Sequence, residues 1–194
     1  VVIMMVETEH TPNPNTLKFL PGKKVSEVGP IEFLKNDKNI KVSLANKILS
    51  LEGTVMVFFG EDFITVKKEK DLNWEDMKHG IISEINDYYS KGNEVVVGKD
   101  LRLVKILSES VSDSKPVESN AVVNKINEIL DSKIRPAVAR DGGDIAFKSF
   151  KDGIVTVELK GSCSGCPSSI MTLKQGVQNL LCHYVPEIKS VEAI

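Results

Sequence analysis

Leu159-Lys160-Gly161-Ser162-Cys163-Ser164-Gly165-Cys166-Pro167-Ser168-Ser169 joins a strand pattern to a helix pattern. Before it, Val155, Val157 and Leu159 alternate with Thr156, Glu158 and Lys160, the two-residue period of a half-buried strand. After it, Ile170, Leu173, Val177, Leu180, Leu181 and Tyr184 recur at helical spacing. Pro167 suits a first helical position, where a missing N–H costs nothing. Cys163 and Cys166 are therefore expected on a short loop at a helix N-terminus. There, exposed N–H groups and the positive end of the dipole favour thiolate over thiol. Gly161 and Gly165 let the backbone turn sharply and leave room beside the sulfurs. Such a loop predicts a soft-metal or redox site.

The elements around it follow from the same periodicities. Asp152-Gly153 is a strong hairpin signal between that strand and one expected over Ile145 to Phe150. Asp141-Gly142-Gly143-Asp144 reads as a turn, preceded by a helix with Val122, Ile126, Ile129 and Leu130 as its stripe. Ile188 to Ile194 adds a last strand, giving the order helix, strand, strand, helix, strand. Upstream, the serine-rich stretch Ser108 to Pro116 reads as a flexible linker, and Leu101 to Leu107 fits a strand or a turn of helix equally.

The first hundred residues form a unit of their own. A short strand is expected at Met4 to Thr8, then the turn Thr11-Pro12-Asn13-Pro14-Asn15, then a strand over Thr16 to Leu20. Ser43 is the expected N-cap of a short helix carrying Leu44, Ile48 and Leu51. Val55 to Phe59 and Phe63 to Val66 form a hairpin around Gly60-Glu61-Asp62, the first of them read as a buried strand rather than a docking surface. Asn73 caps a longer helix striped by Trp74, Met77, Ile81, Ile85 and Tyr88, with Gly92 just past its end. The predicted fold class is α+β: two small domains, residues 1–97 and 117–194, joined by a linker at 98–116.

Composition narrows the function classes. The chain has 194 residues, 41% hydrophobic and 27% charged, ordinary proportions for a soluble globular protein. A net charge of -2 makes no electrostatic case for nucleic acid or an anionic membrane as partner. No apolar run approaches the roughly 18 residues of a membrane helix. The opening Val1 to Val6 is too short for a secretory h-region and no basic residues precede it. Three cysteines do not make a disulfide framework, so a reducing compartment is expected. The expected setting is a bacterial cytoplasm, or a mitochondrial matrix if a transit peptide has been removed. No GxxxxGK[ST] loop, nucleophile elbow or HExxH is present in the sequence, so the chain is not expected to be an enzyme.

Longer motifs carry a family resemblance. Arg135-Pro136-Ala137-Val138-Ala139-Arg140-Asp141-Gly142-Gly143-Asp144, the Gly161 to Ser169 run and His183-Tyr184-Val185-Pro186-Glu187 resemble the NifU C-terminal, or Nfu, family. Thr11 to Phe19, Phe58-Phe59-Gly60 and Asp62 to Val66 resemble the N-terminal domain of the same family. The resemblance implies an iron–sulfur cluster scaffold or carrier. Two subunits would share a 4Fe-4S cluster, with 2Fe-2S left open, bound by Cys163 and Cys166 of each chain. Implied partners are apo iron–sulfur acceptors, upstream assembly proteins and a second copy when loaded, with no nucleic acid and no membrane. Cys182 stands where the family more often has a basic residue.

Ligand arithmetic agrees. A cluster or closed zinc site takes about four ligands, and the CxxC supplies two. Cys182 lies 16 residues beyond Cys166. Along a helix that is roughly 24 Å, so the other two thiolates must come from a second subunit on a two-fold axis. Cys182 falls about a hundred degrees off the apolar stripe, as a neutral flank thiol would. Asp141 and Asp144 fit a tight turn with capping acids better than a metal-binding pair, and His10, His79 and His183 have no ligand spacing. Two other classes use the same CxxC: a thiol–disulfide oxidoreductase and a structural zinc module. The cysteine-free first domain is expected to recognise partners or orient the second.

Overall fold

Alternating strands need an apolar cover, and in each half of the chain helices supply it. The computed structural model describes residues 5–100 and 121–194, with backbone only at 167–169. The N-terminal half contains β1 (Glu7–His10), β2 (Thr16–Leu20), β3 (Ile31–Leu34), α1 (Ser43–Ser50), β4 (Thr54–Phe59), β5 (Ile64–Lys68) and α2 (Trp74–Ser90). Its sheet runs β1-β2-β5-β4-β3, every neighbouring pair antiparallel. Leu17, Phe19, Val57, Phe59, Ile64 and Val66 point to one face and pack on Leu44, Ile48, Ile81 and Ile85 of the two helices. Gly92 follows α2 at φ 86°, its N–H bonded to Tyr89 O at 3.1 Å, the expected left-handed stop.

Two local expectations shift, and one strand appears that none foresaw. The first strand sits at Glu7–His10, fixed by its pairing with Leu17 to Leu20. Ser43 is the first helical residue of α1 and Val42 occupies the cap with no side-chain bond. β3 has no alternation to announce it; it is an edge strand held by β4.

The C-terminal half begins with α3 (Ala121–Ile129), which passes through a π-helical turn (Leu130–Ile134) into α4 (Arg135–Arg140). Then come β6 (Gly143–Lys151), β7 (Ile154–Gly161), α5 (Pro167–Tyr184) and β8 (Ser190–Ala193). β6 and β7 are antiparallel, joined through Asp152 (φ 54°) and Gly153 (φ 84°), and β8 runs parallel to β7. The expected element order stands. The helical run is longer than its sequence stripe, because the π turn inserts one residue and re-phases the apolar face onto Ile134 and Val138. Those two join Ile126, Leu130, Val155, Val157, Leu159, Val177 and Leu181 in one core. From residue 101 on, the expected linker and the segment at 101–107 lie outside the described residues.

The halves also touch. On β4, Val57 and Phe59 face the helices while Met56 and Phe58 face the other way. Met56 and Phe58 form a separate apolar cluster with Phe63, against which Ala139 of the C-terminal half packs. Val55 to Phe59 is thus a buried strand, as expected, and it is covered on both faces. A continuous apolar run marks a strand covered on both faces, and here the second cover is the other half of the chain. Among the described residues no helix is long and apolar enough to cross a membrane.

Candidate cysteine site

β7 ends at Gly161 (φ 68°), and Gly165 (φ 76°) turns the chain again into α5. Both angles lie in the left-handed region that a side chain resists. Between them, Ser164 donates its N–H and its hydroxyl to Gly161 O, at 3.2 and 2.9 Å. Cys166 takes the cap position of α5, its carbonyl accepting from Ile170 N–H at 2.9 Å. Neither Cys163 nor Cys166 is in a disulfide. Loop and helix start are therefore as the sequence predicts, and both cysteines lie on the loop.

The electrostatics of Cys163 differ from expectation. It is 7% exposed and packs into the C-terminal core. A Cβ added to Gly143 would lie 2.7 Å from its Sγ, so the sulfur rests against bare backbone. Burial pushes the Cys163 thiol up to about 11; the Ser162 hydroxyl 3.9 Å away opposes this, and Asp141 and Asp144 add to it. Desolvation therefore outweighs any helix-dipole preference for thiolate at this cysteine. Beside it opens a cavity of about 540 Å³ lined by Pro12, Ile134, Val138, Leu173 and Val177.

The acids of the neighbouring turn are committed elsewhere. Buried Asp144 takes a two-point bond from Arg135, 2.9 Å from Nε and 2.9 Å from Nη2, so it is neither a metal ligand nor a helix cap. Asp141 offers its backbone carbonyl to the Ser162 hydroxyl. Cys182, far along α5, donates to Ile188 O at 3.3 Å and is partly covered by the core, less open than a flank thiol. Among the described residues no three His, Cys, Asp or Glu side chains converge to hold a metal, and the histidines stay scattered.

What sequence reasoning missed is the N-terminal half arriving at this loop. Asn13 Nδ2 donates to Ser162 O at 3.2 Å, and Thr65 Oγ1 to Gly142 O at 2.8 Å. Lys67 Nζ reaches Ser164 O at 3.4 Å, and Lys18 Nζ reaches Arg140 O at 3.3 Å. Glu32 accepts the Gly161 N–H at 2.7 Å; its own burial raises its carboxyl above the usual range, and that same N–H opposes the rise. All five of these residues sit at outward positions or turns, where polar side chains ordinarily mean solvent. The signal available was Met56 and Phe58, which break the polar alternation of β4.

Comparison with known proteins fits this arrangement half by half. Residues 6–92 match the family described as Scaffold protein Nfu/NifU N terminal, and residues 126–192 match the NifU-like domain. The chain belongs to the Nfu/NifU family. A human member named NFU1 iron-sulfur cluster scaffold homolog, mitochondrial is 43% identical over 193 residues, covering 98% of this chain and 72% of that protein. NifU-like protein 4, mitochondrial, of Arabidopsis thaliana is 43% identical over 191 residues, covering 97% of this chain and 65% of that protein. A solution NMR structure of a NifU-like protein from Saccharomyces cerevisiae is 28% identical and covers 50% of this chain and 87% of that one, with a TM-score of 0.46. The resemblance drawn from the motifs thus holds. The expected bacterial cytoplasm does not: the human and plant members are named as mitochondrial proteins.

Proposed function

We propose that this chain is an iron–sulfur cluster scaffold and carrier of mitochondria, holding a 4Fe-4S cluster between two copies through Cys163 and Cys166 of each. The relatives' names as scaffolds support the class. The observation that carries the site is the pair of cysteines on one glycine-flanked loop, with no third ligand group from the same chain among the described residues. Two thiolates are half of what a cluster takes, and a second copy supplies the other half. Soft sulfur ligands suit iron–sulfur cargo.

The chain's own contribution is protonic and steric. Both thiols must give up their protons to bind metal, and Cys163 holds its proton tightly, so loading releases acid and weakens as pH falls. Delivery to an apo-acceptor is ligand exchange, thiolate for thiolate, with no substrate turned over; the chain is not an enzyme in this reading. Acceptors and upstream assembly proteins are the corresponding partners. After anaerobic reconstitution, Cys163→Ser and Cys166→Ser should each lose iron and acid-labile sulfide, because each change removes two of four ligands from the dimer. Wild-type content in either variant overturns the assignment. A colourless protein carrying zinc, or a reversible dithiol that takes up no iron, would replace it with one of the other two classes.

A further inference from the structure

We propose that the outward face of the N-terminal sheet is a docking surface for the cysteine loop. Its occupant in the unloaded chain is the chain's own loop, which a second copy must displace to complete a four-thiolate site. The displacement rests on the shared-cluster reading; the docking does not.

The surface is built from one face of four strands. Lys18 lies on β2, Thr65 and Lys67 on β5, Met56 and Phe58 on β4, and Glu32 on β3. On a sheet with one covered face these positions would meet water. Instead Phe58 and Thr65 are 0% exposed and Lys18 is 8% exposed. Burying a lysine and a threonine is unfavourable unless their polar atoms are bonded. Thr65 bonds Gly142 O across the boundary between the halves, and Lys18 divides its ammonium between Arg140 O across that boundary and Glu9 and the Phe63 ring within its own half.

The polar matching covers both arms of the site. Asn13, Thr65, Lys67 and Lys18 each bring a donor to a backbone carbonyl, at Ser162, Gly142, Ser164 and Arg140. The Glu32 carboxylate, an acceptor, meets a donor, the N–H of Gly161. Donors and acceptors sorted this way recognise the shape of a loop. Glycine makes that shape possible on the other side: a Cβ on Gly142 would lie 2.8 Å from Thr65 Oγ1, and one on Gly161 3.2 Å from Phe58 Cγ. These glycines therefore leave room for the N-terminal sheet as well as for turns.

Docked in this way, the loop is poorly placed for a second copy. Cys163 is buried, Pro12 of the N-terminal half lines the cavity beside it, and Asn13 holds the carbonyl next to it. Thiolates from two chains must reach one cluster a few bonds wide, so the two loops need the approach that the N-terminal residues occupy. Docked and shared forms are alternatives, and their coupling is reciprocal. Whatever loosens the docked form favours loading, and loading frees the N-terminal sheet face.

The test uses the full chain, first without cluster. Iodoacetamide labelling of Cys163, followed by peptide mass, compares wild type with Asn13→Ala/Thr65→Ala and with Glu32→Ala. Labelling of Cys163 should accelerate roughly tenfold in the double variant and severalfold in Glu32→Ala, as expected when a local closing interaction is removed. Exchange of the Gly161 amide should accelerate in Glu32→Ala. Anaerobic cluster loading should then quicken in the same order as labelling. Unchanged labelling and exchange in folded variants overturn the docking surface. If the double variant fails to fold, Glu32→Ala, on an edge strand, decides alone. Faster labelling with unchanged or slower loading overturns the displacement and keeps the docking. A chain that takes up no iron in any form sinks the scaffold reading and the displacement with it, while labelling still judges the docking.

Discussion

The two sheets of this molecule carry similar alternations and meet different fates. On β7 of the C-terminal sheet, Val155, Val157 and Leu159 enter the core while Glu158 and Lys160 turn outward. There Glu158 pairs with Lys148 at 2.8 Å and with Lys160 at 3.5 Å, the Glu158 and Lys160 side chains keeping 29% and 27% of their surface exposed. On β5 of the N-terminal sheet, Ile64 and Val66 enter the core while Thr65 and Lys67 turn outward, into the other half of the chain. The polar positions of a strand thus identify the face opposite the helices without saying what lies against it. A neighbouring strand decides that, by supplying Met56 and Phe58 on the same face.

The contrast can be broken by mutation. The largest effect is expected at Phe58, which is buried away from the helical core. Phe58→Ala should destabilise the chain by about 3–5 kcal/mol in urea unfolding if the second face is as well packed as the first. A loss below about 1 kcal/mol would mean that face is loosely covered, since exposed positions rarely cost more.

Next in size is the reactivity of Cys163. With its thiol pushed up to about 11, labelling at pH 8 should run on the order of 100-fold slower than for an ordinary cysteine, and should rise toward pH 11. The same shift has a sign for stability. The folded chain keeps a proton that the unfolded chain releases near its ordinary value of about 8.5, so above that pH Cys163 makes unfolding easier, until the folded thiol also titrates. Urea midpoints of wild type and Cys163→Ser should therefore converge or cross between those two values. Parallel curves would mean the thiol is less buried than its surroundings indicate.

The smallest effect belongs to the outward charges of the C-terminal sheet. Glu158→Gln should change stability by no more than about 1 kcal/mol, because such partly exposed pairs are weak, and added salt should reduce even that. A cost like that of Phe58→Ala would show that this face, too, is covered.

Much of this was legible in the chain itself. Strand, loop and helix around Cys163 and Cys166 follow from periodicity, and Asp152-Gly153 forms the hairpin its sequence calls for. The features that were not legible depend on distant partners. β3 is held by pairing with β4 and has no pattern of its own, and the helix beyond Leu130 hides its stripe behind an inserted residue. Glu32 and Gly161 are 129 positions apart, and nothing local to either announces the bond between them. The raised Cys163 thiol is hidden from the sequence for the same reason: its helix-terminal setting is local, whereas its burial comes from residues brought in by the fold.

The π-helical turn at Leu130–Ile134 fixes a count as well as a shape. Deleting Asp131, Ser132 or Lys133 would restore an ordinary helix and keep its apolar content. It would also rotate everything downstream by about 100° and draw it back by about 1.5 Å. Ile134 and Val138 would lose their phase with Ile126 and Ile129, with which they now share one core. Substitutions that preserve bulk can drift through this helix, but insertions and deletions cannot. Among descendants of this chain, length between Ala121 and Gly143 should vary less than the amino acids that fill it.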